Sequence, residues 1–345
     1  LTGFSENNGV YTIRLKGNTA GTVDVNVAAG FGVTAKTITL KATAAQIQAA
    51  KTAATSAADS VFDISPVTIL ADGTEESTLT YTAKDSSGAA VTGLTNVTFP
   101  ETGVAGTTVG TVTEANGVYT AHLTGTTPGV AHLTVSVNGT DKTPSGTHDV
   151  TLTPTQAQLA ASVASATLTS DKDDIDADDT DTATLTFTPV DAQHNPVKGM
   201  SEATVGFAVT TTLTSGQYTL TGFSENNGVY TVTLKGNTAG TVDVNVAHGF
   251  GVTAKTITLK ATAAQIQAAK TAAVSAADSV FDISPTSILA DGTTQATLTF
   301  TAKDSSGAAV TGLTNVTFPE TGVAGTTVGT VTEANGVYTA HLTGT

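Results

Sequence analysis

The sequence repeats itself almost verbatim, and that fact restricts the fold more than any other. The stretch beginning Leu1-Thr-Gly-Phe-Ser-Glu-Asn-Asn-Gly-Val-Tyr11 recurs from Leu220, and at this offset of 219, residues 1–126 match 220–345 at all but ten positions. Those are 13/232, 14/233, 29/248, 55/274, 67/286, 68/287, 75/294, 76/295, 77/296 and 81/300. Repeats of this kind are built from units that each fold as one supersecondary or domain-sized body. Within the period lies a second, diverged repeat: Ile69-Leu-Ala-Asp-Gly-Thr aligns with Ile175-Asp-Ala-Asp-Asp-Thr, and Asn116-Gly-Val-Tyr with Asn227-Gly-Val-Tyr. Two domain types therefore alternate. The expected boundaries are 1–41 (the C-terminal part of a type 2 domain), 58–153 (type 1), 164–260 (type 2) and 277–345 (the N-terminal part of a type 1 domain). Linkers fall at 42–57, 154–163 and 261–276. Two full sandwiches flanked by two part-domains are expected, with the strands that complete the outer two lying beyond Leu1 and Thr345. Core residues such as Tyr11, Ile13 and Leu15 are then expected to be exposed.

Each unit reads as short strands separated by Gly, Asn, Asp and Pro signals, the pattern of an all-β sandwich. Ser77–Ala83 alternates Leu79, Tyr81 and Ala83 with Thr78, Thr80 and Thr82. The sequence predicts a hairpin over 117–137, its loop centred on Thr127, which would set Tyr119 opposite Val135, Ala121 opposite Leu133 and Leu123 opposite Ala131. These six would face the core, with His122 and His132 opposite each other on the outer face. Between domains, residues 43–58 and 262–277 are Ala-rich and free of Gly and Pro, and Thr43 and Gln46 have capping-box spacing. They read as short helices, with Ile47 and Ile266 expected to pack on a neighbouring domain and stiffen the joint. The junction at Pro154 reads as a shorter helix with Pro at its first position.

Composition removes several functions. The net charge is −15, from 29 acidic against 14 basic residues, which disfavours nucleic acid, where binding relies on neutralising phosphates. The chain has no Cys, so disulfides and thiolate metal sites are excluded. No G-x-S-x-G, H-E-x-x-H or Walker-type sequence is present, and the chain does not read as an enzyme. The densest charge is Asp171–Asp181, where Asp174, Asp176 and Asp178 are the candidate calcium ligands, since Ca²⁺ takes six to eight oxygens. The run lacks an EF-hand glycine and closing glutamate, and a solvated strand edge is the competing reading. His122 and His132 would need further ligands that Thr120, Thr134 and Ser136 do not supply. Lys84 and Lys303 point outward by parity, which argues against isopeptide cross-links.

The matches Ala71-Asp72-Gly73, Asp85–Gly93 (D-x-x-G-x-x-V-x-G), Asn116–Leu123 and Thr238–Val246 resemble the bacterial immunoglobulin-like group 1 domains of the invasin and intimin family, the inverse autotransporters. The resemblance implies tandem Greek-key immunoglobulin-like sandwiches forming the extracellular stalk of an outer-membrane-anchored adhesin. That stalk carries a binding region away from the cell for adhesion or biofilm formation. Membrane anchoring and most contact with a host-cell, matrix or neighbouring bacterial ligand would then lie in other regions. The alternatives are that the repeats themselves bind a ligand or self-associate, or that they belong to a calcium-stiffened, type I-secreted giant adhesin. No cofactor other than calcium is implied.

Overall fold

In the computed structural model, which describes residues 1–28, 31–246 and 250–345, the chain forms two compact units, Leu1–Gln158 and Leu159–Thr345. The 29/248 sequence difference lies outside the described residues. Both units are built from small, mostly antiparallel sheets facing each other across an apolar layer, the immunoglobulin-like sandwich expected from period-two patterning.

In the first unit, one sheet has the strand order Thr107–Val109, Val118–Gly125, Ser77–Thr82, Val61–Ser65, with Thr113–Ala115 also paired to Val118–Gly125. The facing sheet orders Thr68–Leu70, Asp149–Thr153, Gly129–Leu133, Glu101–Thr102, and its first two strands run parallel. The core between them holds Leu79, Tyr81, Tyr119, Ala121, Leu123, Ala131, Leu133, Val135, Val150 and Leu152. In the second unit the same plan recurs. Ser165–Ser170, Ala183–Val190, Val229–Gly236 and Tyr218–Asn226 form one sheet, and Asp174–Asp176, Lys255–Lys260, Gly240–Val246 and Phe207–Thr211 the other. Its core is centred on Ile175, Leu185, Phe187, Tyr230, Leu234, Val244 and Leu259. A third set of strands, Val280–Ser284, Ala296–Thr301, Val337–Gly344 and Thr326–Val328, repeats the first sheet of 58–153.

The six core residues of the expected 117–137 hairpin are all buried, but they do not face one another as strand partners. Tyr119 pairs with Tyr81 and Ala121 with Leu79, while Ala131 pairs with Val150 and His132 with Asp149. The five residues from Gly125 to Gly129 therefore carry the chain from one sheet to the other. Alternation decides which face of a strand is buried; it does not choose the neighbour, and sheets packed about 10 Å apart present the same alternation to the core from both sides. The tight hairpin sits instead at Asn116-Gly117, with φ of 53° and 83° and Thr113–Ala115 pairing back on Val118–Thr120. Asn-Gly favours this mirror-image turn because both central residues need positive φ.

The joints form as short helices. Helix α1 (Ala44–Ala54) carries the Thr43/Gln46 capping box. Helix α2 (Gln156–Ser162) starts from Thr155, whose Oγ1 accepts the Gln158 N–H at 3.2 Å. Pro154 thus precedes the cap rather than filling the first helical position. Helix α3 (Glu202–Val205) is a single turn inside the 164–260 sandwich, capped by Ser201, and helix α4 (Ala263–Ala273) repeats α1. Ile47 and Ile266 are not packed: they are 45% and 44% exposed. Polar groups dock these helices instead. Gln48 Nε2 donates to Gly93 O (2.9 Å) while its Oε1 accepts from Thr95 N (3.0 Å), and Lys51 Nζ reaches Thr92 O (2.9 Å). Asn138 Nδ2 donates to Thr52 Oγ1 (2.7 Å). In α4, Gln267 makes the same pair of bonds to Gly312 O and Thr314 N. Leu159 of α2 does pack against the 164–260 core.

Copies of one residue differ in burial along the chain. Tyr11 is 68% exposed, whereas its copy Tyr230 is fully buried. A groove of about 790 Å³ lined by Phe281, Ile283, Leu298, Phe300, Phe318 and Leu342 exposes the face that Ala131, Leu133, Val150 and Leu152 cover in 58–153.

Two buried tyrosines on adjacent strands differ in their hydroxyls. Tyr119 Oη accepts from Leu94 N (2.8 Å) and donates to Val91 O (3.3 Å). Tyr81 Oη is buried without a hydrogen-bond partner, and the nearby Ser60 hydroxyl is engaged with Ser56 O and Lys84 N. At the matching position the repeat carries Phe300. Chemical denaturation should therefore show Tyr119→Phe destabilising by about 1–3 kcal/mol, because it leaves a buried N–H unpaired, and Tyr81→Phe costing on the order of 0.5 kcal/mol or less.

Candidate functional site

The residues that recur in every sandwich are turn and latch residues, and their chemistry is structural. The Ala-Asp-Gly signal forms an Asx turn: Asp72 Oδ1 accepts from Thr74 N (2.7 Å) and Glu75 N (2.9 Å). Asp178 and Asp291 do the same for Thr180/Asp181 and Thr293/Thr294. At the head of the D-x-x-G turn, Asp85 Oδ1 accepts from Ser87 N, Ser87 Oγ and Ala89 N at 2.6–3.0 Å. Asp191 and Asp304 hold the equivalent turns. This turn ends at Gly93, whose φ of +64° favours glycine.

Above these turns lies the tyrosine latch. Tyr119, Tyr230 and Tyr338 each accept from a main-chain N–H (Leu94, Met200, Leu313) and donate to a carbonyl three residues earlier (Val91, Val197, Val310). Sequence patterning places these tyrosines on the core face but gives no sign of the latch. The recurring Asn-Gly-Val-Tyr, with its tyrosine kept where other core positions vary, was the available signal.

Most aspartates of the acidic run are engaged singly, by a lysine or by their own turn. Strand Asp174–Asp176 buries Ile175 and turns its two aspartates outward. Asp174 pairs with Lys260 (2.6 Å), Asp173 with Lys255 (3.5 Å), Asp179 with Lys235 (3.8 Å), and Asp181 with Lys172. Asp178 is engaged by its own turn, and Asp176 offers its N–H to Asp181 Oδ2 (3.1 Å). Among the described residues, no three His, Asp or Glu side chains come together as metal ligands. Asp174 and Asp176 share the outer face of the strand, but Asp174 is engaged by Lys260 and Asp178 by its own turn. Each of these partly exposed pairs contributes little alone. Together they fix an edge strand with charged side chains, a feature that resists pairing with other chains. His122 and His132 stand on different sheets: His132 Nδ1 bonds Asp149 (2.7 Å), and His122 lies near Thr78 (3.3 Å) and Glu76 (3.5 Å). Among the described residues, no helix is long and apolar enough to cross a membrane.

Two latched sandwiches and a third latched sheet along the chain define a tandem immunoglobulin-like protein. The family model described as "Invasin, domain 3" matches residues 56–155, 162–264 and 275–345. The chain belongs to that family. Solved structures similar to it include FdeC, an adhesin of Escherichia coli, at 26% identity, covering 84% of this chain and 89% of that one, with a TM-score of 0.37. Yersinia pseudotuberculosis InvD shares 26% identity over 71% of this chain and 69% of its own, with a TM-score of 0.34. Invasin, described as a bacterial integrin-binding protein, shares 22% identity over 84% of this chain and 63% of that chain, with a TM-score of 0.40.

The turn aspartates carry a pH dependence. Backbone N–H groups of Glu75, Asp181, Asn195 and Thr294 hold the carboxyls of Asp72, Asp178, Asp191 and Asp291 below the ordinary value of 3.8, and the Ser87 and Ser306 hydroxyls do so for Asp85 and Asp304. A carboxyl depressed in the folded state stabilises fully above its unfolded pKa, and loses that contribution as pH falls through the folded value. Melting temperature should hold steady near neutrality and drop between about pH 4 and about pH 2, and Asp85→Ala should flatten the drop while lowering the plateau.

Cation binding is tested separately. If lysines already balance the acidic run, millimolar Ca²⁺ and Mg²⁺ at matched ionic strength should shift the melting curve equally. A shift specific to Ca²⁺, abolished by Asp174→Asn with Asp178→Asn, would restore the ion-site reading.

Proposed function

We propose that this chain is part of the stalk of a bacterial cell-surface adhesin, an extended and semi-rigid spacer whose working property is length. In this reading it projects a binding region from an outer-membrane anchor, for adhesion or biofilm formation, and host or matrix ligands are met mainly by other parts of the protein. The observation that carries the reading is the docking of α1 and α4 onto the sandwich that follows each, by the Gln48 and Gln267 amides. A joint helix held at both faces of one amide has fewer conformations than a free tether, and isolated helices of this length are marginal in water without such support. The surface chemistry agrees. All four Phe and Tyr residues of 58–153 (Phe62, Tyr81, Phe99 and Tyr119) are buried, leaving that sandwich no exposed Phe, Tyr or Trp ring for stacking on a sugar.

Units that carry their own cores and contact only neighbours extend as arrays. At ~3.3 Å per residue, a strand of about eight residues spans roughly 26 Å, and with its turns a unit adds about 40 Å. Small-angle scattering on arrays of one, two and three 219-residue periods should give a maximum dimension that rises in proportion to the number of units. A maximum dimension that levels off, with a compact particle, would overturn the spacer reading and favour repeats that bind through their own surfaces.

A further inference from the structure

Each joint helix begins with Thr-x-x-Gln, and the glutamine does more than cap. Gln265 Oε1 accepts the Thr262 N–H (2.9 Å), and its backbone N–H donates to Thr262 Oγ1 (3.2 Å), completing the cap. The other half of the same amide faces away from the helix. Its Nε2 donates to Ala177 O (2.8 Å) and Asn237 O (2.5 Å), two carbonyls at the pole of the 164–260 sandwich from which the chain leaves. Gln158 repeats the arrangement on the first sandwich, with Oε1 accepting from Thr155 N (2.8 Å) and Nε2 donating to Ala71 O (3.0 Å) and Thr126 O (2.9 Å). Ala71 and Thr126 are the repeat equivalents of Ala177 and Asn237. Gln46 likewise caps Thr43 (2.9 Å) and donates to Asn18 O (2.5 Å), Asn18 being the copy of Asn237.

The receiving groups are informative. Ala71 and Ala177 are almost wholly buried, at 2% and 1% exposure, and a buried carbonyl requires a donor. Both receiving groups at each pole belong to the main chain, so the docking reads backbone shape rather than side-chain identity. Position 126/237 is Thr in one sandwich type and Asn in the other, yet the glutamine bonds are the same.

We propose that the exit pole of each sandwich is a generic docking site for the Thr-x-x-Gln start of the next unit's helix, and that the capping glutamine is the clasp that sets the freedom of the joint. Downstream, Gln48 or Gln267 fixes the helix to the sandwich that follows; upstream, the capping glutamine fixes it to the sandwich before. The inference deepens the spacer reading. It also accounts for two dissimilar domain types alternating in one array, since a clasp on carbonyls accepts either type as its predecessor.

Capping and clasping separate cleanly in one substitution. Glutamate at this position caps as well as glutamine, but its carboxylate has no N–H to give and meets the two carbonyls with like charge. The chain lacks cysteine, so spin labels at Thr241→Cys and His341→Cys, both exposed positions, report on the α4 joint of the full chain by pulsed electron resonance. Gln265→Glu should keep the helical signal. Loss of two such hydrogen bonds should raise the open-joint population on the order of tenfold, broadening the distance distribution as much as Gln265→Ala does. If Gln265→Glu keeps the wild-type width while Gln265→Ala broadens it, the glutamine is a helix cap and the clasp is wrong; if neither broadens it, the clasp is equally wrong. Gln46→Glu, labelled across the α1 joint, provides a second variant should the first not fold. A compact array in scattering would reject the spacer and leave this result standing.

Discussion

The hydroxyl of one buried tyrosine organises each sandwich beyond its apolar core. In 58–153, Tyr119 bridges Leu94 N and Val91 O, pinning the segment after the Asp85 turn against the strand Val118–Gly125. Because the latch satisfies the inner side of that segment, Gly93 O and Thr95 N are left pointing outward, where Gln48 takes both. Tyr338, Gly312 and Gln267 repeat the relation in the second unit. A bond in the core therefore positions the surface to which the joint helix attaches, and a buried polar group that is fully paired specifies geometry as apolar packing alone does not.

The same economy of means runs through the turns. Aspartates at the two recurring turn signals are exposed or half-buried, and each accepts two N–H bonds that the backbone leaves free where the chain reverses. The turn carboxylates are spent on the backbone of their own turns, and His122 and His132 stand on separate sheets. The acidic run in 164–260 follows that logic, with lysines from three surrounding strands and loops meeting the aspartates singly. The charged edge guards a parallel strand pair that would otherwise offer free backbone groups to another chain.

Fold and family were legible in advance because repetition, strand alternation and the Asp-Gly and Asn-Gly signals are local properties. Leu79, Tyr119, Leu133 and their counterparts were placed on the core face by parity alone. The expected pairing of Tyr119 with Val135 failed for a reason of the same kind. A strand's alternation looks identical whether its neighbour lies beside it or across the core, and the short Gly125–Gly129 connection serves a sheet crossing as readily as a hairpin. The joint helices were legible from composition and capping spacing, but not the groups that hold them. Ile47 was the apolar candidate, and the surface offered to the helix turned out to be main-chain carbonyl and amide, which favours Gln48 and Lys51.

The amino-acid sequence by itself determined the repeat, the all-β class, the inward face of each strand, the turns and the helical joints, since all of these follow from spacing of a few residues along the chain. Tertiary structure alone decided which strands became neighbours, that a tyrosine hydroxyl would lock the Val91–Leu94 segment, that lysines distant in sequence would meet the Asp171–Asp181 run, and that a capping glutamine would also grip the preceding sandwich. The latch, the distant lysine pairs and the glutamine clasp join residues 25 to 88 positions apart. Their geometry is set by how two sheets close over a shared core, which no local pattern encodes.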